Sequence, residues 1–157
     1  MIALSLVASL MLAASKPSNC PMTPPPLAVD TFKSSKEVKS FVVDSPKSAN
    51  LLLKDGSLVR IKSMGCVDSG AVAQVLVPNP PSDNDIATWR KLFSRLAKTA
   101  FGSYGDGIAQ WVPDAKFERT DRYILNASGG EDPQFEITVE NTAYSMGYVV
   151  TLSFNYN

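Results

Sequence analysis

The sequence predicts an α+β fold in two layers: an antiparallel sheet covered by one main amphipathic helix, with an extended Pro-rich N-terminal arm. Three observations predict it. Short runs that alternate apolar and polar residues occur before Pro78 and again after Lys116, the period of half-solvated strands. Between them lies one long stretch whose apolar residues recur at helical spacing. Five prolines, Pro17, Pro21, Pro24, Pro25 and Pro26, precede the first strand, and such a run lacks amide donors and extends. One helix can cover one face of a sheet, which gives two layers.

At the N-terminus, Ile2 to Ala14 carries no charge. It is shorter than the ~20 residues a membrane-spanning helix needs. It suits the apolar region of a secretory signal peptide, with Ala13 and Ser15 as the small residues before a cut at Lys16. The expected organisation is a signal peptide over 1–15, a Pro-rich arm over 16–35 and one α+β domain over 36–157, in a periplasmic or secreted protein. In an oxidising compartment Cys20 and Cys66 most simply pair with each other, two separate thiols or an intermolecular bridge being the alternatives. The bridge would pin the arm to the domain. Its loop of about 47 residues corresponds to roughly 4 kcal/mol in the chain-entropy account.

The first strand is expected over Glu37–Val43. Asn50–Lys54 and Ser57–Met64 flank Asp55-Gly56, a strong hairpin turn. Leu58, Arg60 and Lys62 alternate with Val59, Ile61 and Ser63, so one face of that strand carries charge. Ala71–Val77 follows and stops at Pro78. The helix is expected from about Asp83 to Phe101, with Ser82 and Asp85 as a capping-box-like start and Gly102 beyond its end. Ile86, Trp89, Leu92, Phe93, Leu96, Ala97, Ala100 and Phe101 form its apolar face. Gly102 to Asp114 reads as a loop or short helical turn, and Phe117–Asn126, Gln134–Glu140 and Gly147–Tyr156 as three closing strands. The last resembles the terminal strand of an outer-membrane barrel, but a closed barrel needs at least eight strands of about ten residues, so a sheet strand is expected.

Composition excludes more chemistry than it identifies. Histidine is absent, which removes Ser-His and Cys-His pairs and imidazole metal sites. Two cysteines are too few for a thiolate zinc site. Fifteen basic residues balance fifteen acidic ones, which argues against nucleic acid as a partner. No cofactor is expected. Val67-Asp68-Ser69-Gly70-Ala71 resembles the catalytic loop of aspartic proteases, but Cys66, Val72 and Gln74 break the pattern around it. The simpler reading is a turn in which Gly70 takes positive φ. Glu131, Asp132, Glu136 and Glu140 are candidates for a hard cation, yet only the first two share a loop, and a solvated turn is expected. Asn126-Ala127-Ser128 has the form of a glycosylation sequon.

Charge is distributed unevenly. Residues 1–98 hold 12 Lys+Arg and 7 Asp+Glu, and residues 99–157 hold 3 and 8, so the two portions carry +5 and −5. The helix face opposite the apolar one carries Arg90, Lys91, Arg95 and Lys98. These four, with Tyr104 and Trp111 among nearby glycines, are the candidate binding residues. For the basic face the alternative is a merely solvated surface; for Trp111 it is a cap on the core, which exposure distinguishes from a binding anchor. Membrane insertion by this helix is not expected, because a one-helix domain needs its apolar side for the core.

The order from Asn50 to Phe101 is strand, Lys54-Asp55-Gly56 turn, strand, Gly65-Cys66-x-Asp68-x-Gly70, strand, then a helix bearing Trp89. It resembles small uncharacterised periplasmic proteins of Gram-negative bacteria, some of which look like immunity proteins against toxins delivered by type VI secretion. The resemblance implies a non-catalytic protein that binds and blocks a toxic enzyme. The alternatives are a small secreted carboxylate-dependent hydrolase of aspartic-protease type and a structural envelope protein.

Overall fold

The computed structural model describes residues 22–65, 69–130, 134–141 and 147–156. The expected signal segment, Cys20, Cys66, Asp68, Glu131 and Asp132 lie outside the described residues. In chain order the elements are α1 (Val29–Ser34), β1 (Val38–Ser45), β2 (Ser48–Leu53), β3 (Leu58–Met64), β4 (Ser69–Val77), α2 (Ile86–Phe101), α3 (Ser103–Trp111), β5 (Leu125–Gly129), β6 (Gln134–Asn141) and β7 (Tyr148–Tyr156). All seven strands form one antiparallel sheet in the order β1-β2-β3-β4-β7-β6-β5. The chain makes a four-stranded meander, crosses the sheet through the helices, re-enters at the far edge and returns to the centre. β7 closes against β4 along nine residue pairs, Ser69↔Tyr156 to Val77↔Tyr148.

The alternation of each strand selects the covered face. Ala49, Leu51 and Leu53 of β2, Val59 and Ile61 of β3, Ala71, Ala73, Val75 and Val77 of β4, and Val150, Leu152 and Phe154 of β7 are all buried. Trp89, Phe93, Leu96 and Ala100 of α2 complete that core, as the helical spacing predicts, and Leu92 packs partly buried at its edge. Trp89 stacks on both Phe93 and Tyr148 at centroid distances of 5.4 and 6.0 Å. Its indole Nε1 donates to the Ser82 carbonyl at 3.1 Å. The Asp55-Gly56 hairpin forms as expected, with Gly56 at φ +87°.

Several boundaries differ from the sequence reading, each for a local reason. α2 starts at Ile86 rather than Asp83, because Asp85 is the N-cap and accepts from the Thr88 amide at 3.1 Å. Ser82 instead closes the preceding turn through its carbonyl. The segment after Gly102 is a nine-residue helix, α3, so the helical layer is a hairpin of two helices rather than one. Gly105 makes this possible: a Cβ there would collide with the Ala97 carbonyl of α2, so only a hydrogen fits. The arm is not extended throughout, since 29–34 is helical and buries Phe32. The expected strand Phe117–Asn126 shrinks to a single Glu118↔Asn126 bridge, and β5 begins at Leu125. Thr120 turns the chain there, its hydroxyl accepting from the amides of Arg122 and Tyr123 at 3.3 and 2.9 Å. Ser69 and Gly70 belong to β4 rather than to a turn, and Gly70 lies beneath the Phe154 carbonyl where a side chain has no room.

Candidate functional site

The helical layer carries the six residues that composition and spacing single out, and the structure divides them. Arg90 is half-buried and structural: Nη2 donates to the Ala115 carbonyl at 2.9 Å, and the guanidinium lies 5.6 Å from the Phe117 ring centroid. Arg95 meets Asp55 of the β2–β3 turn and, at 3.3 Å, Glu37 just before β1, so two acids from connecting segments neutralise it. Lys98 lies 3.9 Å from Asp106 of α3. Lys91 projects from the exposed side of α2. The basic face is therefore a strip of paired charges with Lys91 and Lys98 at its outer edge. Tyr104 is half-buried and stacks on Phe154 at 5.1 Å, which makes it part of the core margin. Trp111, at the end of α3, is 47% exposed, while the next residue, Val112, is fully buried.

Burial pushes the Asp55 carboxyl upward, but the Ser57 amide at 2.9 Å and the Arg95 guanidinium outweigh it and hold its pKa below the usual carboxylate value. A hollow of about 310 Å³ opens beside this pair, lined by Asp55, Val77, Pro81, Lys91, Leu92 and Arg95. It lies on one flank of α2, and α3 occupies the other, where Gly105 abuts Ala97. A third polar patch joins the loop that precedes α2 to the 119–123 turn: Tyr148 donates to Asp83 at 2.8 Å and Arg119 to Asn84 at 2.8 Å. Hydrogen bonding to Asp83, with burial and the Asp83 charge beside it, raises the Tyr148 pKa.

Among the described residues no helix lies over the opposite face of the sheet, and its strand register sets side chains in rows. One row runs Ser40, Leu52, Leu58, Leu76, Val149, Glu140. The next runs Asn50, Arg60, Gln74, Thr151, Thr138, Asn126. The third runs Ser48, Lys62, Val72, Ser153, Glu136, Ser128, and the last Met64, Gly70, Asn155, Gln134. Leu58 is 52% exposed and Met64 42%. Two shallow hollows of about 490 and 470 Å³ lie at opposite ends of this face. The sequence shows the charge on Arg60 and Lys62, but not that Leu58, Leu76 and Val149 adjoin; that needs the register.

The described part of the aspartic-protease-like stretch is occupied structurally. Ser69 is buried, and its hydroxyl donates to the Thr23 carbonyl at 2.8 Å. Among the described residues no helix is long and apolar enough to cross a membrane. Comparison with protein-family models, curated proteins and solved structures gives no match for this chain.

Proposed function

We propose that this chain is an exported, non-catalytic binding protein that blocks a secreted toxin enzyme or a cell-wall hydrolase, and that it does so through its helical layer. The observation that carries this reading is Trp111. A tryptophan that only caps a core is covered; this one is 47% exposed at the end of a short helix seated on α2. Tryptophan is the residue type that most often dominates binding energy when a partner buries it, because it combines large area with few rotors. On the exposed side of α2, Lys91 adds positive charge beyond the partly screened Lys98–Asp106 pair, and such charge steers an acidic partner during encounter. Arg90, Arg95 and Tyr104 hold this surface in shape through their contacts with Ala115, Asp55 and Phe154.

The test begins with a photo-crosslinking side chain installed in place of Trp111, in the exporting cell. The expected product is a discrete adduct with one enzyme of the envelope. Purified wild-type protein should then inhibit that enzyme at one-to-one stoichiometry. Trp111→Ala should weaken inhibition by at least about thirtyfold while keeping the wild-type circular dichroism. Capture of proteins whose activity is unaffected, or equal inhibition by Trp111→Ala, would reject the reading.

A further inference from the structure

The uncovered sheet face carries opposite charges in the same row. Lys62 of β3 and Glu136 of β6 sit three strand spacings apart, with Val72 and Ser153 between them. At about 4.8 Å per strand that is roughly 14 Å, too far for the two to pair with each other. The midpoint of the row falls between β4 and β7, at the centre of the sheet. A two-fold axis along the strands at this midline carries β3 of one copy over β6 of another, and keeps each row facing itself.

We propose that two copies of this chain pack through their uncovered sheet faces about that axis. Lys62 then meets the partner's Glu136, and Glu136 meets the partner's Lys62, so one contact is made twice, as an isologous interface requires. In the centre Leu76 lies over the partner's Val149 and Val72 over the partner's Ser153, an uncharged strip flanked by the charges. A two-fold of this kind preserves the hand of the sheet twist, so the two twisted faces follow each other in shape as aligned sheets do. The area suffices. Four rows about 7 Å apart and the six strands from β2 to β5 in sheet order, about 4.8 Å apart, span roughly 600 Å² per copy, or about 1,200 Å² in all, the lower end of specific interfaces. The helical layer points away from this interface, so the inference stands apart from the role proposed for Trp111.

Sedimentation equilibrium on the purified chain tests it with three charge variants. The wild type should show a monomer–dimer equilibrium that weakens as salt rises. Lys62→Glu and Glu136→Lys should each place like charges together twice and raise the dimer Kd by roughly tenfold or more. The doubly exchanged protein, Lys62→Glu with Glu136→Lys, should restore the dimer, a recovery that misfolding cannot produce. A wild type that stays monomeric at several hundred micromolar overturns the proposal, even if this face captures some other protein. So does a dimer indifferent to the single variants, or a double variant no better than either.

Discussion

Gly105 lies inside α3, where glycine costs roughly 1 kcal/mol relative to alanine because it loses more backbone freedom. The Ala97 carbonyl of α2 explains its presence, since it occupies the space a methyl group would need. Gly105→Ala should therefore forgo the propensity gain and destabilise by about 1–3 kcal/mol in urea unfolding, the usual cost of overpacking. Asp55 makes a second prediction at this scale. Its folded pKa is depressed, so it contributes stability above its unfolded value, near 3.9, and loses it as pH falls through the folded value. Wild type should melt above Asp55→Asn at pH 6, and the two melting temperatures should converge as the pH falls through the folded value. A constant gap as the pH falls would mean that the Ser57 and Arg95 contacts do not favour the charged carboxylate. The group is partly exposed, so the gap itself is small.

At the scale of elements, α2 is the keystone of the covered face. Trp89, Phe93 and Leu96 are buried to 1% exposure or less, and Phe93 stacks between Trp89 and Phe117. Phe93→Ala should cost roughly 3–5 kcal/mol by calorimetry or denaturant titration, since both transfer and cavity terms apply. The outer edge of the same helix behaves oppositely. Reversing Lys91 and Lys98 should leave unfolding nearly unchanged, because both are exposed. It should slow association with an acidic partner and flatten the salt dependence of the rate, read by stopped flow.

For the whole molecule, the chain from Met22 to Pro25 is part of the fold. A Cβ on Gly65 would strike Met22 and Pro24, Ser69 binds Thr23, and Pro25 is buried. The described residues next to Cys20 and Cys66 thus meet at the same end of β3 and β4. In protein recovered after export, thiol labelling should find no free cysteine until reductant is added. Intact mass should correspond to a chain starting near Lys16. Free thiols, or a mass retaining Ile2–Ala14, would contradict the expected export and pairing.

Within each element, side-chain period alone decided the outcome. Alternation placed Val59, Ile61 and Phe135 inward, and helical spacing placed Trp89 and Phe93 inward, because both periods are set by bonds a few residues long. What the sequence left open depends on distance in space. That β7 pairs with β4 across more than seventy residues follows from closing the sheet, not from any local signal. The extension of 103–111 into a nine-residue helix, beyond the loop or short turn expected, needed the α2 surface to receive Gly105. Arg95 reads as a free surface cation until the fold brings Asp55 and Glu37, 40 and 58 residues away, beside it. Trp111 could equally cap or anchor by sequence; its exposure was decided by α3 turning Ile108 and Val112 inward instead. The pairing of charges and the exposure of an aromatic ring are tertiary properties, because both are fixed by neighbours that chain order does not name.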